Sequence, residues 1–313
     1  MIPVVSRNDP IRRKIETLST QLSLPTVRRA LGILEGEHPS GKIGGGYDYQ
    51  GIRAYETGDE ARLIDWHSSA RMGRPMVVER ERMVTSKSWL LMDAGVEMLA
   101  STPHAEVTAT VASNALRLFA ALCLRRSDEV SLVLADNKTI SRIPCQGGFA
   151  SFESTLDHAL SQQFLHPRNI DALLGYAERI RDSNSLIVIA TDETAIQNKH
   201  IESIRKLAQT HPLILVSVAT LNPLAPNNAI KHITDGYTGC RLPAFLRKPQ
   251  LGLEVQTHRH YQNLALKRDL TRTGSQLMHV SSSESMLTEF TRTLSTAHLT
   301  SSKRQVRQLG TVQ

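Results

Sequence analysis

The sequence has few of the residues that would commit it to a metal cluster, a disulfide framework or a membrane. Aromatic residues make up only 4% of the chain, so we expect a mostly aliphatic core. The three cysteines, Cys123, Cys145 and Cys240, are far apart and form no CxxC pair, which argues against a zinc site or structural disulfides. No apolar run approaches the ~18 residues that cross a bilayer. The first residues also lack the apolar core of a signal peptide. These absences predict a cytoplasmic protein without a membrane span.

The chain does carry an excess of positive charge. The net charge is +7, although the hydrophobic content of 40% is that of an ordinary globular protein. The segment Arg241–Arg272 is basic, and the tail adds Lys303, Arg304 and Arg307 without an acidic residue. No aromatic-rich strand, helix-turn-helix spacing or zinc knuckle accompanies them. The pattern favours a solvated basic face over nucleic-acid binding, which stays open as an alternative function.

Short apolar runs alternate with helical patterns from about residue 88 onward. The runs are Trp89–Met92, Val130–Leu134, Leu186–Ala190 and Leu213–Val218. They do not alternate with polar residues, which is typical of parallel strands covered on both faces by helices. The sequence therefore predicts an α/β fold with an open, mostly parallel sheet, preceded by an N-terminal helical and extended segment.

The same patterns predict the organisation of the chain. The predicted parts are an N-terminal helical segment at 1–35, a loop and extended region at 36–87, the α/β domain at 88–296, and a flexible basic tail at 297–313.

Two of the predicted strands end in an aspartate, Asp93 and Asp192. Ligands of open α/β sheets bind beyond the carboxyl ends of the strands, where the strand order reverses. If these two strands are neighbours, both carboxylates face one crevice and would suit magnesium. The alternative is that each aspartate only caps the turn that follows it. No nucleophile and base form a visible set, so no catalytic residue and no enzymatic activity are predicted.

A densely charged stretch lies before the sheet, at residues 48–75. It combines arginines, aspartates and two aromatic residues within nineteen positions: Arg53, Tyr55, Gly58, Asp59, Arg62, Asp65, Trp66 and Arg71. Either these residues pair internally and pin an irregular loop, or part of the set faces a partner. We expect Asp59 or Asp65 to pair with Arg62 or Arg71, Trp66 to be a buried anchor, and Arg53 to be an exposed partner residue.

Residues 48–74 contain the pattern R-x-Y-x-x-G-D-x-x-R-x-I-D-W-x-x-x-A-R, which closely resembles the signature of domain-of-unknown-function family fifty-eight. The matching residues are Arg53, Tyr55, Gly58, Asp59, Arg62, Ile64, Asp65, Trp66, Ala70 and Arg71. Members of that family look like von Willebrand factor A domains and are associated with MoxR-type AAA+ ATPases. The resemblance covers roughly residues 25–295. It implies a sheet whose first and fourth strands are adjacent, which would bring Asp93 and Asp192 together.

The chain departs from the metal-site pattern of that fold. The usual D-x-S-x-S is here Asp93-Ala94-Gly95-Val96-Glu97, so both serines are missing and Glu97 adds a carboxylate. Three carboxylates without a cation would repel one another and raise at least one pKa. Either a cation binds to Asp93, Glu97 and Asp192 in altered geometry, or Glu97 points away and the site is empty. We expect a degenerate site with weak or absent magnesium binding and no other cofactor.

The resemblance implies a non-enzymatic interaction module, an adaptor or co-chaperone that works with a MoxR-type ATPase to mature or remodel an unidentified client complex. Two alternatives belong to other classes of protein: a basic nucleic-acid-associated protein, and a metal-dependent enzyme at the sheet crevice.

Overall fold

The structure is a computed structural model that describes residues 10–21, 48–55, 64–81, 87–124, 128–182, 185–225, 233–235, 239–273 and 275–292. Several predictions concern residues outside these ranges. They include Gly58, Asp59 and Arg62 of the charged stretch, the continuation of the first helix beyond residue 21, and the basic tail at 297–313. The side chain of Arg53 is also outside the described part.

The chain divides into two units, residues 1–34 with 86–313 and residues 35–85. The larger unit begins with helix α1 (Pro10–Gln21). In the smaller unit, strands β1 (Asp48–Ala54) and β2 (Met76–Glu81) pair antiparallel. Helix α2 (Trp66–Met72) lies between them in sequence. Backbone hydrogen bonds from Tyr55 to Pro75 and from Asp65 to Met76, both 2.9 Å, close this unit.

Six strands of the larger unit form one sheet. They are β3 (Lys87–Asp93), β4 (Glu129–Ala135), β5 (Ile140–Cys145), β6 (Leu186–Asp192), β7 (Leu213–Val218) and β8 (Gln276–Val280). The order is β5-β4-β3-β6-β7-β8, and only the edge strand β5 runs antiparallel to its neighbour in the described sheet. This confirms the predicted α/β class with a mostly parallel sheet. The first and fourth strands of the sheet, β3 and β6, are adjacent as the resemblance implied.

Helices cover both faces of the sheet, because its strands are apolar on both sides. One face packs against α1, α3 (Thr108–Leu124), α4 (Phe149–Ser161) and α8 (residues 283–292). The other packs against α5 (Ile170–Ala177), α6 (Ile201–Thr210) and α7 (Pro249–Arg272). In β3, for example, Leu90 and Met92 join the first core while Trp89 and Leu91 join the second.

Helix α7 is longer than the sequence predicted. The sequence pattern predicts an irregular, proline-rich segment from Leu221 to Leu251 and a helix over Tyr261–Thr271, whereas α7 already begins at Pro249. Proline is accepted in the first turn of a helix, where the N–H that it lacks would have no partner in the helix. No helix within the described ranges is long and apolar enough to cross a membrane.

A buried network of ion pairs attaches α1 to the rest of the larger unit. The Arg117 side chain on α3 is 1% exposed and donates to Asp157 of α4 at 2.5 Å. Arg12 on α1 donates to the other oxygen of the same carboxylate at 2.9 Å. Glu153 lies 3.9 Å from the Nε atoms of both arginines. One carboxylate therefore joins three helices.

We expect Asp157→Ala to lower the free energy of unfolding by about 3 kcal/mol, because it leaves Arg117 buried without its nearest anion. Glu153 remains, which keeps the loss at the low end for a broken buried pair. Urea unfolding would measure it. Glu202→Ala removes only the exposed pair with Lys206 and should cost about 0.5 kcal/mol or less. Equal losses in the two variants would contradict the assignment.

Candidate functional site

The two aspartates predicted from the strand ends lie at the carboxyl edge of the sheet, where β3 and β6 are neighbours. β4 lies on one side of this pair and β7 on the other, so the strand order reverses there. Asp93 is 1% exposed and Asp192 is 2% exposed. This is the crevice in which open α/β sheets bind their ligands.

A guanidinium lies between the carboxylates at this edge. Arg168 Nη2 donates a hydrogen bond to Asp192 Oδ2. Its Nε is 3.5 Å from Asp93 Oδ2 and 3.7 Å from Glu97 Oε2. The backbone N–H of Arg168 also donates to Glu97 Oε2 at 3.0 Å. One side chain thus contacts all three predicted metal ligands, and we call these four residues the Arg168 cluster.

The two aspartates of the Arg168 cluster also accept hydrogen bonds from nearby donors. Asp93 accepts hydrogen bonds from the Gly95 N–H at 2.9 Å and from the Thr191 hydroxyl at 3.0 Å. Asp192 Oδ1 accepts from both the N–H and the hydroxyl of Thr194, each at 2.7 Å. The aspartates therefore also hold the turns that follow their strands, which was the alternative interpretation from the sequence.

Gly95 permits the close approach of the Arg168 backbone. A Cβ at position 95 would lie 2.6 Å from the Cα, Cβ and N atoms of Arg168, closer than real Cβ contacts. Backbone hydrogen bonds join the two segments, from Val96 to His166 at 2.9 Å and from Phe164 to Ala94 at 3.2 Å. Gly95 replaces the first serine of the metal pattern. Only a residue without a side chain leaves room there for the backbone of Arg168.

Burial and charge act in opposite directions on these groups. Burial raises the pKa of Asp93 above its ordinary value, although the charge of Arg168 and the hydrogen bonds from Gly95 and Thr191 oppose the rise. Burial lowers the pKa of Arg168, but the hydrogen bond and charge of Asp192, with the charges of Asp93 and Glu97, outweigh it and the net pKa is raised. The arginine is a permanent cation among carboxylates.

The structure brings Asp93, Glu97 and Asp192 together, and Glu97 does not point away from them. Its carboxylate accepts from the backbone of Arg168 instead. No group of three or more His, Cys, Asp or Glu side chains suited to a metal ion occurs among the described residues. The oxygen ligands that would suit magnesium are present, but a guanidinium occupies the place where they converge.

Sequence reasoning missed Arg168. It follows Pro167 and precedes Asn169, whose side chain caps α5 by accepting from the Ala172 N–H at 2.9 Å. The available signal was indirect: three converging carboxylates require a cation, and an arginine before a helix cap is one of several candidates. Nothing in its local pattern distinguishes it from a solvated residue.

In the smaller unit, Asp65 has a different role from the one expected. It is the N-cap of α2, and its carboxylate accepts from the N–H groups of His67 and Ser68 and from the Ser68 hydroxyl. The Ser68 hydroxyl contributes most to lowering the pKa of Asp65. Among the described residues, Asp65 pairs with no arginine, so the expected pair with Arg71 does not form; Arg62 and Asp59 lie outside the described ranges. Aspartate before a helix is a common cap.

The expectation that Trp66 is a buried anchor is wrong. Trp66 is the first residue of α2, and it is 73% exposed. Arg71 on the same helix is exposed as well, and α2 has no buried residue. Tyr55 is also exposed, whereas Met76 and Val77 of β2 supply the buried apolar contacts. The signature residues of α2 therefore contribute little to the packing of this unit.

Comparisons with known proteins agree with the resemblance noted from the sequence. The family described as "Protein of unknown function DUF58" matches residues 51–236, more than half of the chain. No curated protein matches the chain in sequence.

Solved structures with a similar chain course include an aerotolerance-related membrane protein from Bacteroides fragilis NCTC 9343 carrying multiple mutations to serine. It is 13% identical, with a TM-score of 0.44, and the match covers 67% of this chain and 99% of that one. Another is the VWA domain of SpRpn10, 9% identical with a TM-score of 0.36, where the match covers 66% of this chain and 94% of that one.

We expect Arg168→Ala to create a binding site for divalent cations, because it leaves three carboxylates without their counter-charge. The variant should melt at a lower temperature than the wild type in the presence of a chelator. Millimolar Mg²⁺ should then restore part of the loss, by about 2.7 kcal/mol where its concentration is 100 times the dissociation constant. The wild type should not respond to Mg²⁺.

The matched control is Arg259→Ala. Arg259 pairs with Glu193, one residue beyond β6, at 2.8 Å, and Glu193 is its only carboxylate partner among the described residues. Its removal should lower the melting temperature without any rescue by Mg²⁺. Equal stabilisation of the wild type and Arg168→Ala by Mg²⁺ would show that the guanidinium does not exclude a cation.

We also expect a pH-dependent difference between the wild type and Asp93→Asn. The folded-state pKa of Asp93 lies above 3.8, its ordinary value. The stability that comes from protonated Asp93 is therefore present below 3.8 and is lost as the pH rises through the folded-state pKa. The free energy of unfolding of the wild type relative to Asp93→Asn should fall as the pH rises from below 3.8 toward neutrality. Urea titrations of both proteins measure this, and a constant or growing difference would contradict it.

Proposed function

The chain belongs to the DUF58 family of proteins of unknown function, and from that membership we propose that it is a non-enzymatic protein-interaction module. It works as an adaptor or co-chaperone of a MoxR-type AAA+ ATPase in the cytoplasm, during maturation or remodelling of a client protein complex. The ATPase is named from the association that the signature of residues 48–74 implies for members of the family.

The observation that carries this proposal is the exposure of the signature residues on α2. Trp66 is 73% exposed although tryptophan is among the residues most enriched at protein interfaces. The Asp65 cap fixes the start of the helix, so the indole is presented from an ordered element. Residues that form a specific pattern without filling a core are available to a partner.

The Arg168 cluster supports a module without catalytic chemistry. A carboxylate set can serve as a base or a metal ligand only when a substrate or a cation can reach it. Here, Arg168 contacts all three carboxylates and two turns use the remaining oxygens of the aspartates. This arrangement favours a structural role at the sheet edge over the metal-dependent enzyme.

The nucleic-acid alternative receives less support from the basic segment at residues 241–272. Arg259 is directed to Glu193 at 2.8 Å and to the Thr220 carbonyl at 2.9 Å, so part of the excess charge is used inside the unit. Arg272 lies 4.0 Å from Asp269 on the same helix. The other basic residues of α7 are spread along one exposed helix, which is typical of a solvated face.

We expect Trp66→Ala to weaken association with the cognate MoxR-type ATPase while the melting temperature stays nearly unchanged. Truncation of an exposed tryptophan removes an interface contact but no core packing, and such a residue at the centre of an interface contributes about 2 kcal/mol or more to binding. Titration calorimetry with the purified ATPase, beside thermal melts, measures both quantities.

Met72→Ala is the matched control, because Met72 is an exposed apolar residue of the same helix that does not belong to the signature. It should leave affinity and melting temperature close to those of the wild type. Equal affinity of the ATPase for the wild type and Trp66→Ala would remove α2 from the partner surface. Salt-sensitive binding of nucleic acid by the wild type, without ATPase binding, would favour the alternative function.

A further inference from the structure

A second polar cluster lies at the other end of the sheet, away from the Arg168 cluster. It surrounds a pocket of about 270 Å³ between the edge strand β5, the third residue of β3 and the carboxyl end of α5. Beside the buried Ile180, the polar and aromatic side chains that line it are those of Trp89, Arg142, Tyr176, Arg179, Arg181 and Asp182. Three of these six are arginines, and two are aromatic.

Trp89 forms the buried part of this pocket. It is 6% exposed, and its ring packs edge-on against Tyr176 with 6.3 Å between the ring centroids. Its indole N–H has no hydrogen-bond partner in the part of the chain that the structure describes. Buried indole N–H groups are usually paired, since leaving a buried donor without an acceptor is costly. The indole ring lines the pocket, and its fully buried N–H is a donor without an acceptor among the described residues.

Arg142 is held in place over the same indole. Its guanidinium carbon lies 4.6 Å from the centroid of the Trp89 ring, which is within the range of a cation–π contact. Its only hydrogen bond among the described residues is a long one, 3.5 Å from Nη2 to the Ser131 hydroxyl. Most of its five N–H donors thus remain available in a fixed plane, the geometry that suits a carboxylate or phosphate.

The charge of the pocket is positive. Its single acidic side chain, Asp182, pairs with Lys87 at 3.1 Å, so the carboxylate is already compensated. Arg179 and Arg181 are exposed and follow the end of α5, where cations also interact well with the helix dipole. The helix dipole is enough to explain Arg179 and Arg181, with no ligand needed. It does not explain Arg142 on β5 or the unpaired indole N–H of Trp89.

We propose that this pocket binds an oxyanion, a carboxylate of an acidic peptide segment or a phosphate group, through the guanidinium of Arg142, which stacks on the ring of Trp89. Arg179 and Arg181 add positive charge at its rim. Its volume is below the ~300–1,000 Å³ of sites for drug-sized ligands, which fits one anionic group or side chain and not a whole nucleotide. This site includes no residue of α2 and does not rest on the proposed function.

The test reads the indole directly. The chain has two tryptophans, so ¹⁵N-labelled protein gives two indole N–H signals, which Trp66→Phe assigns. Three probes are added separately: a glutamate-rich peptide, a glutamine-rich peptide of the same length, and inorganic phosphate. The Trp89 signal should shift and saturate with the glutamate peptide or with phosphate, and it should not respond to the glutamine peptide. The probe that binds identifies the source of the oxyanion.

Variants distinguish specific binding in this pocket from non-specific attraction of the anion to a basic protein. Arg142→Gln should weaken binding about tenfold or more, as expected for loss of hydrogen bonds to a charged group. Arg179→Gln with Arg181→Gln avoids the stacked arginine and should weaken binding less. Arg205→Gln, an exposed arginine of α6, should leave the affinity unchanged.

Two results would overturn the proposal. One is a Trp89 signal that responds to neither oxyanion. The other is equal weakening by Arg142→Gln and Arg205→Gln, which would mean that only the overall charge of the protein attracts the anion. Thermal melts of each variant show whether a lost response reflects loss of the fold, and the double variant keeps the test decisive if Arg142→Gln does not fold.

Discussion

The contact between Arg168 and the carboxylates of Asp93, Glu97 and Asp192 is the interaction on which the carboxyl edge of the sheet depends. The adjacency of β3 and β6 forces two buried aspartates together, and isolated buried charges are too costly to persist without a counter-charge. The guanidinium supplies that charge from within the chain. Its Nη2 donates to Asp192 while its Nε lies near Asp93 and Glu97, a spread of positive charge that the point charge of a lysine would not reproduce. The segment at residues 164–168 is joined to residues 94–96 by backbone hydrogen bonds that complete the arrangement.

An internal guanidinium differs from a metal ion in one physical respect that matters for function. A metal with an open coordination position can accept a ligand from a partner, so binding can depend on the ion and switch with its concentration. Arg168 is covalently fixed, and its contacts are to its own unit. The edge keeps the electrostatic balance of a metal centre but loses the exchangeable position. In the proposed interaction module, recognition would use other surfaces, such as exposed aromatic or stacked cationic side chains.

The architecture could be predicted from the sequence because it depends on a regular property, the burial of both faces of β3, β4, β6 and β7. Apolar continuity over four to six residues reports that burial directly. The crevice was predictable as well, since strand ends and the implied adjacency locate Asp93 and Asp192. The contact of Arg168 with this crevice was not predictable. Arg168 reaches the edge from a loop 71 residues after Glu97, and no local sequence pattern records such a contact. The prediction that Trp66 is buried was wrong for a different reason. Aromatic residues are common both in cores and at interfaces, so the sequence could not tell which of the two environments Trp66 occupies.

The two ends of the sheet now differ in a way that follows from topology. Strand ends carrying acidic side chains meet at the carboxyl edge, where helix N-termini and backbone N–H groups also favour negative charge. Helix carboxyl ends return to the opposite edge, and there Arg179 and Arg181 follow α5 beside Trp89. Dipoles alone would account for cations at that end. They do not account for an arginine on a neighbouring strand that stacks on a buried indole whose N–H lacks an acceptor among the described residues. The proposed anion would complete that combination, whereas the acidic edge already contains its counter-charge within the chain.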